Sequence, residues 1–242
     1  MINMIKTLSI IIPVYNEEKT IHQLLKKIAE LKLIQNIQKE IIIINDCSTD
    51  SSKEKIQFFI EENKNLNTHL LNHKENKGKG GAVSTGVKYA NSEYSIIQDA
   101  DLELNPEDIN LLLKAIGEKK ADIAYGSRFL TNKKHKKEMM LNRIANKFLT
   151  RISNIILNMN LTDMQTCYKL IPTKIFQSIT LKEKGFAFDP EITAKLKKHS
   201  NLKFTEVPIT YEPRTQDEGK KIKWTHGFRQ IFSILKYGLF KY

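Results

Sequence analysis

Two kinds of apolar pattern alternate along the first half of the chain. Continuous apolar runs, as at residues 8–13 and 40–45, predict strands that are buried on both faces. Between these runs, apolar residues recur at helical spacing, as at Ile21, Leu24 and Leu25. A strand followed by a helix, repeated at this rhythm, predicts an α/β fold with a mostly parallel sheet covered on both faces. Further strands are expected at 68–72, from 94 and at 122–125, with helices through 56–60, 83–89 and 106–118.

The second half of the chain has a different pattern. Long amphipathic segments predict one helix over residues 143–159 and a last helix over 224–242. Shorter apolar stretches predict strands at 170–171 and 202–211, and a helix that starts near Glu191. The last helix carries an apolar stripe, which either packs on the core or docks on a membrane surface.

The stretch at residues 94–103 joins an apolar, β-prone run to three closely spaced acids. Asp99, Asp101 and Glu103 follow the predicted strand, and Asn105 and Pro106 then open a helix. Ligands of α/β sheets bind beyond the carboxyl ends of parallel strands, and clustered carboxylates suit Mg²⁺ or Mn²⁺. An isolated acid pair of this kind more often caps a helix. The apolar strand before it and the phosphate-handling features around it favour the metal interpretation here.

The charge of the chain indicates an anionic partner. Its 242 residues are 40% hydrophobic and 27% charged, which is typical of a globular protein, and the formal net charge is +12. Nucleic acid, a phosphorylated substrate and an anionic membrane face would each suit this charge. Cys47 and Cys167 lack metal-ligand spacing and are expected to be reduced thiols in a cytosolic protein. Neither a signal peptide nor an apolar run of roughly 18 residues is apparent, so we expect a soluble or peripheral protein.

Two further features have more than one reading. The Gly-Lys-Gly-Gly at residues 78–81 lacks P-loop spacing, but it could present backbone amides and Lys79 to a phosphate. Alternatively, the loop needs glycine only for a positive φ. Asp46 follows the second strand, where it could read a base or ribose by hydrogen bonding or simply cap the next helix.

Five motifs together resemble a known family. They occur in order at residues 13–17, 45–50, 76–80, 98–103 and 126–129, as Pro-Val-Tyr-Asn-Glu, Asn-Asp-Cys-Ser-Thr-Asp, Asn-Lys-Gly-Lys-Gly, Gln-Asp-Ala-Asp-Leu-Glu and Gly-Ser-Arg-Phe. The chain resembles the inverting nucleotide-sugar glycosyltransferases of the GT-A fold, specifically the dolichyl/polyprenyl-phosphate mannosyl- and glucosyltransferase group. The resemblance continues to Tyr211-Glu-Pro-Arg214 and so covers nearly the whole chain.

The resemblance implies a role for each matching residue. The residues expected to bind the donor are Pro13, Tyr15, Glu17, Ile44, Asp46, Lys79, Asp99 and Ala100. The residues expected to bind the metal, Mg²⁺ or Mn²⁺, are Asp99, Asp101 and Glu103, with Asp101 as the direct ligand. Arg128, Arg143 and Arg214 are near the positions that hold the acceptor phosphate and the leaving diphosphate. Three residues depart from the family pattern: Asn45 stands where Asp is frequent, Cys47 where Gly is frequent, and Glu103 where well-known mannosyltransferases have Gln.

The resemblance also implies a domain organisation. We expect one GT-A domain at residues 1–223, with a nucleotide-sugar half at 1–130 and an acceptor half at 131–223, followed by the amphipathic helix at 224–242. The acceptor half is basic, with lysines within 133–137 and at 220, 221 and 223.

The predicted function is metal-dependent transfer of a sugar from a GDP- or UDP-sugar to a polyprenyl phosphate, by a cytoplasmic protein peripheral on the cytoplasmic face of an anionic membrane. A lipid phosphate is already anionic and needs no general base. A saccharide hydroxyl acceptor, as in surface polysaccharide synthesis, would need one, and Asp189 or Glu191 is the candidate. Nucleic acid is not an expected partner, because the lysines are scattered and no recognition motif occurs.

Overall fold

A seven-stranded mixed sheet forms the centre of the protein. The computed structural model describes residues 5–119, 121–130, 140–185, 187–199, 201–214 and 226–240. The strand order is β3-β2-β1-β4-β6-β5-β7. Its strands are β1 Thr7–Val14, β2 Gln38–Asn45, β3 Thr68–Asn72, β4 Tyr94–Ile97, β5 Ile123–Ser127, β6 Lys169–Pro172 and β7 Phe204–Pro208.

The sheet is mostly parallel, as predicted. Strands β1 to β4 all run in one direction, and β7 is parallel to β5. Strand β6 is the exception, because it lies between β4 and β5 and is antiparallel to both. The central strands β1 and β2 are almost wholly buried, which explains their continuous apolar sequences.

Eight α-helices are described, and they occur in both halves of the chain. They are α1 Ile21–Glu30, α2 Ser52–Glu62, α3 Gly78–Tyr89, α4 Ile109–Lys119, α5 Met140–Leu157, α6 Thr173–Ser178, α7 Phe188–Lys198 and α8 His226–Leu239. Short 3₁₀ turns lie at Ile34–Asn36 and Pro106–Asp108.

Several predicted boundaries need correction. The helix predicted from residue 106 begins with the 3₁₀ turn, and α4 starts only at Ile109. Helix α7 starts at Phe188 rather than near Glu191, because Pro190 is tolerated in the first helical turn, where its missing N–H costs nothing. Strand β7 ends at Pro208 instead of reaching 211, because its partner strand β5 ends at Ser127, directly opposite Pro208.

Helix α3 lies unusually close to the sheet. A Cβ atom added at Gly86 would approach Ile11 Cγ2 to 2.4 Å and Ile44 Cδ1 to 2.7 Å. Glycine at this position therefore lets α3 pack directly on β1 and β2. This contact places the amino-terminal turn of α3 next to the carboxyl ends of those strands.

Helices α5, α7 and α8 pack together on the side of the acceptor half. The inner face of α8 buries Ser233, Ile234 and Tyr237. Its outer face leaves Phe228 and Phe232 about two-thirds exposed, at 67% and 64%. The two interpretations of this helix thus apply to different faces. Its inner face packs on the core, and its outer face is exposed to solvent.

Some expectations concern residues that the structure does not describe. These are the basic stretch at 133–137, the lysines at 220, 221 and 223, and the predicted boundary between 223 and 224. Both cysteines are free thiols. Within the described residues, no helix is long and apolar enough to cross a membrane.

Candidate functional site

A cavity of about 770 Å³ lies beyond the carboxyl ends of β1, β2 and β4. All but three of the predicted site residues border it, which agrees with the rule that parallel sheets bind ligands at this edge. The exceptions are Ile44, Arg143 and Glu191. The bordering residues are Pro13, Tyr15, Glu17, Asp46, Lys79, Asp99, Ala100, Asp101, Glu103, Arg128, Asp189 and Arg214.

Asp46 lies at the end of β2 and is almost completely buried. Its Oδ1 atom accepts hydrogen bonds from the backbone N–H of Lys77, at 2.9 Å, and from Nδ1 of His73, at 2.6 Å. Neither bond is to the amino-terminal turn of α2, so the structure gives Asp46 no role as a cap of that helix.

The glycines at the start of α3 serve a close backbone contact. Gly78 has a φ of 74°, and the N–H of Gly80 donates to the carbonyl of Lys184 at 2.8 Å. A Cβ at Gly80 would lie 2.0 Å from the carbonyl oxygen of Glu183. The positive-φ interpretation therefore holds at Gly78, and the Gly80 amide is occupied by the carbonyl of Lys184.

Lys79 forms an ion pair with the first of the three acids. Its Nζ lies 2.5 Å from Asp99 Oδ1. Burial alone would raise the pKa of Asp99, but the nearby cations and hydrogen-bond donors, of which Lys79 contributes most, together hold that pKa below its ordinary value. Burial would likewise lower the pKa of Lys79, but the surrounding negative groups, of which Asp99 contributes most, together raise that pKa above its ordinary value. Both groups are thus held in their charged forms.

The three acids divide between two cations, because Asp99 pairs with Lys79 and the other two lie beside Arg214. Asp99 faces Lys79, whereas Glu103 accepts hydrogen bonds from the Tyr211 hydroxyl and from the backbone N–H of Arg214, each at 2.9 Å. Among the described residues, no three His, Cys, Asp or Glu side chains gather as a preformed metal site. The predicted three-ligand set of Asp99, Asp101 and Glu103 is therefore not assembled in this structure.

Asp101 is the acid with an excess of negative charge around it. Burial, followed by the nearby charges of Asp99 and Glu103, raises its pKa to about 7, although Arg214 opposes the shift. Its side chain also accepts the backbone N–H of Glu103 at 3.1 Å. A buried hard-oxygen ligand in surplus negative charge suits a divalent cation, so the residues fit Mg²⁺ or Mn²⁺, which Asp101 would hold.

Arg214 connects distant parts of the chain at the cavity. Its guanidinium lies 2.9 Å from Glu17 Oε2 and 3.2 Å from Asp101 Oδ2. The backbone around it is fixed as well, because Glu212 donates its N–H to the carbonyl of Glu103. A single cation therefore joins the loop after β1 to the acidic loop after β4.

Arg128 borders the cavity with its orientation fixed by Asp163. Nε and Nη2 of the guanidinium lie 2.7 and 2.8 Å from the two oxygens of this buried carboxylate. Asp163 is held in turn, since Glu206 accepts its backbone N–H and that of Thr162. This bidentate geometry leaves the guanidinium charged and immobile.

The two candidate bases have different environments. Asp189 borders the cavity and pairs with the fully buried Lys169, whose Nζ lies 2.5 Å from Oδ1. Burial raises the pKa of Asp189, and Lys169 and Lys79 oppose that shift. Glu191 is fully buried away from the cavity, and its oxygens accept the backbone N–H groups of residues 182 and 183, each at 2.8 Å. In this structure Glu191 supports a loop.

Ile44 and Arg143, the other two predicted site residues that do not border the cavity, lie in defined positions near it. Ile44 is a fully buried residue of β2, where it packs beside Gly86 of α3. Arg143 lies on α5 with its guanidinium 5.4 Å from the centre of the Phe129 ring. It therefore faces the segment after β5, next to the cavity rather than in its wall.

Comparison with known proteins identifies the family. Residues 9–180 match the family described as glycosyl transferase family 2. The chain belongs to this family. Over 95% of its length, this family 2 protein is 29% identical to the dolichol-phosphate mannosyltransferase of Pyrococcus furiosus, and it spans 64% of that relative, less than two thirds. It is also 29% identical, over 89% of its length, to the dolichyl-phosphate beta-glucosyltransferase of Dictyostelium discoideum, of which it covers 68%.

Solved structures of other glycosyltransferases share the fold. The glucosyl-3-phosphoglycerate synthase of Mycobacterium tuberculosis, in complex with Mn²⁺, UDP and phosphoglyceric acid, superposes with a TM-score of 0.73 at 13% identity. The match covers 98% of this chain and 80% of the synthase. Another complex of that synthase holds Mg²⁺ and UDP. The predicted GT-A fold and the predicted membership of a glycosyltransferase family are confirmed.

Three residues around the family 2 site were missed by the sequence reasoning. His73, Asp163 and Lys169 are the buried partners of Asp46, Arg128 and Asp189. Only Lys169 had a usable signal, because a lysine at the start of an apolar strand must find a counter-charge if that strand is buried.

Proposed function

We propose that this family 2 chain transfers a sugar, with inversion, from a nucleoside-diphosphate sugar to a polyprenyl phosphate. The observation that carries the proposal is the position of the cavity. It extends from the acidic loop to the space between α5 and α8, two helices whose outer faces are apolar. A lipid phosphate requires both an anion site and an adjoining apolar surface.

The donor would occupy the end of the cavity beneath β1 and β2. Asp46 would accept an N–H of the nucleobase there, and Tyr15 and Pro13 border the same end. The diphosphate would then lie near the acidic loop. Relatives named for transfer to dolichyl phosphate, and a fold neighbour that binds UDP, support this assignment of the donor class.

The acceptor would approach between α5 and α8. Asn146 and Leu149 of α5, and Arg229 and Gln230 of α8, border the cavity. On the outer faces of the same helices, apolar side chains are 57–74% exposed: Ile144, Phe148 and Ile155 on α5 and Phe228, Phe232 and Leu239 on α8. The phosphate could thus enter the cavity while its polyprenyl chain stays on the apolar face.

An anionic membrane would be the natural source of such an acceptor. Lys147, Arg151 and Arg229 are exposed on the helices that carry the apolar face. Each basic residue near an anionic bilayer contributes roughly 1 kcal/mol of attraction. Because nucleotide sugars are cytoplasmic metabolites, we place the protein at the cytoplasmic face.

A divalent cation, Mg²⁺ or Mn²⁺, fits this proposal, with Asp101 as its protein ligand. When bound, the cation would neutralise charge on the departing nucleoside diphosphate. The chain itself contributes fixed cations. Arg128 is held by Asp163 beside the cavity, and Arg214 is held by Glu17, so both can stabilise anionic oxygens without reorganising. Asp99 orients Lys79 at the same wall.

No proton has to be removed in this reaction. A phosphate monoester is anionic at neutral pH, so its oxygen can attack the anomeric carbon directly while the bond to the diphosphate breaks. Asp189 would then keep its ion pair with Lys169 throughout the reaction.

A second candidate function uses a saccharide hydroxyl as acceptor in surface polysaccharide synthesis. The observation in its favour is that Asp189 borders the cavity and has a raised pKa because it is buried. A carboxylate of this kind could take the proton of an attacking hydroxyl.

One experiment separates the two functions. UDP- and GDP-sugars are incubated with the protein, divalent metal and either a polyprenyl phosphate or an oligosaccharide, and the products are identified by mass spectrometry. We expect a sugar-phosphate-lipid product that the folded fraction of Asp189→Asn still makes. Transfer to the oligosaccharide alone, abolished by Asp189→Asn while nucleotide binding survives, would replace the lipid-phosphate function with the second one. Glu191→Gln is the matched control, because that carboxylate does not border the cavity.

A further inference from the structure

A buried histidine lies directly behind the residue proposed to read the nucleobase. His73 follows β3, and its backbone N–H donates to the carbonyl of Asn45 at the end of β2. Its side chain is only 6% exposed, and that of Asp46 is 3% exposed. His73 does not border the cavity, so it cannot touch a ligand except through Asp46.

The imidazole and a backbone amide together occupy one oxygen of Asp46. Nδ1 of His73 lies 2.6 Å from Oδ1, and the N–H of Lys77 donates to the same atom at 2.9 Å. The other oxygen, Oδ2, accepts no hydrogen bond from any residue that the structure describes. Rotation of the carboxylate would break both bonds to Oδ1, so the orientation of Oδ2 is fixed.

The second ring nitrogen is anchored to a different element. Nε2 of His73 lies 2.9 Å from Oγ1 of Thr85 on α3, and this hydroxyl oxygen also lies 3.2 Å from the carbonyl oxygen of Gly81. The ring is therefore bound at both nitrogens. It links Asp46 to the helix whose first turn also lines the cavity.

We propose that His73 is a positioning residue for nucleotide recognition, which presents Oδ2 of Asp46 to an N–H group of the nucleobase. The inference rests on the proposed function, because it takes the cavity to bind a nucleoside diphosphate. A carboxylate can only accept hydrogen bonds, so its partner on the base must be an N–H group, such as the ring N3–H of uracil or N1–H of guanine. Without His73, Oδ1 would lose a charge-assisted partner, and the carboxylate could turn away.

Paired substitutions at His73 test the geometry. The amide nitrogen of asparagine can occupy the position of Nδ1, whereas that of glutamine reaches the position of Nε2. We therefore expect His73→Asn to keep the bond to Asp46 and His73→Gln to lose it. Calorimetry with UDP and with GDP is the measurement. His73→Gln should raise the dissociation constant of the nucleotide that the wild-type chain binds by roughly tenfold or more, and His73→Asn by much less.

The two controls separate positioning from a general structural effect. Thr85→Val removes the anchor at Nε2 but keeps Asp46, so it should resemble His73→Asn. In an Asp46→Asn background, His73→Gln should add little, because coupled residues give non-additive effects. In a transfer assay, His73→Gln should raise KM for the donor far more than it lowers kcat, as expected when uniform binding is lost.

A spectroscopic measurement covers the case in which His73→Gln does not fold. In wild-type protein labelled with ¹⁵N-histidine, saturation with the bound nucleotide should shift the Nδ1 resonance of His73, and Asp46→Asn should abolish that response. Equal affinities of the Gln and Asn variants, or an Nδ1 resonance that ignores the nucleotide, would overturn the role of His73. Wild-type protein that binds neither UDP nor GDP would instead overturn the proposed function, and this inference with it.

Discussion

Replacing Lys169 with methionine should strongly destabilise the protein. The side chain of Lys169 is 0% exposed and that of Asp189 is 7% exposed, so the variant would leave a buried carboxylate without its cation. Removing one partner of a buried ion pair typically costs about 3–5 kcal/mol, far more than the net stabilisation by the intact pair. Methionine fills most of the volume of the lysine stem, so the loss would come mainly from the missing charge, which also lies 5.3 Å from the centre of the Tyr125 ring.

The stability that the Lys169→Met variant loses should depend on pH in a defined direction. Burial already raises the pKa of Asp189, although Lys169 opposes the shift, and removal of Lys169 would raise that pKa further. In the unfolded chain the carboxyl ionises near its ordinary pKa of about 3.9. A raised folded-state pKa means that the folded protein is favoured at low pH and loses stability as pH rises through that pKa. The variant should therefore lose less stability at pH 5 than at pH 8.

Urea unfolding followed by circular dichroism at both pH values measures these effects. Lys88→Met, at an exposed lysine of α3, is the matched control and should change the free energy of unfolding by no more than about 0.5 kcal/mol. Adding Asp189→Asn to the Lys169 variant should recover part of the lost stability. A loss below about 1 kcal/mol at pH 8, or a double variant no more stable than the single one, would refute the buried-pair reasoning.

Three further changes test two residues of the cavity and one backbone contact beside it. Asp101→Asn should lower turnover by roughly 100-fold or more and weaken binding of Mn²⁺ measured by calorimetry; full activity in excess chelator would exclude the metal-assisted function. Arg214→Ala should impair transfer to polyprenyl phosphate much more than binding of the nucleotide sugar, and equal losses in the two assays would contradict that role. Gly80→Ala should lower the thermal midpoint because its Cβ would lie 2.0 Å from the carbonyl of Glu183, and an unchanged midpoint would show that this backbone contact adapts freely.

The sequence carried clear information about the strands and the residues directly after them. Buried parallel strands have continuous apolar sequences, so β1 and β2 were predictable, and Asp46 follows β2 immediately. Asp99 and Asp101 follow β4 within a few positions. Because parallel strands end at one edge of the sheet, their order in sequence was enough to bring these acids to one cavity.

The partners of those residues were not predictable, because they are set by tertiary packing. His73 is 27 positions from Asp46, and Glu17 is 197 positions from Arg214. No local periodicity records such pairings. The role of Glu191 could not be predicted for the same reason. Its place in a helix followed from the sequence, but only the structure shows that its carboxylate accepts hydrogen bonds from loop amides.

The antiparallel strand β6 has a consequence for the order in which the chain can fold during synthesis. Strands β1 to β4 lie within residues 7–97 and pair with one another, so this half of the sheet can form early on the ribosome. Strand β5 joins that half only through β6, which is made more than 40 residues later. Until then β5 has no neighbour in the sheet, and unpaired strand edges of this kind promote aggregation. A nascent chain stalled before residue 169 should therefore need a chaperone. The residues that line the cavity can come together only after β6 has joined the two parts of the sheet.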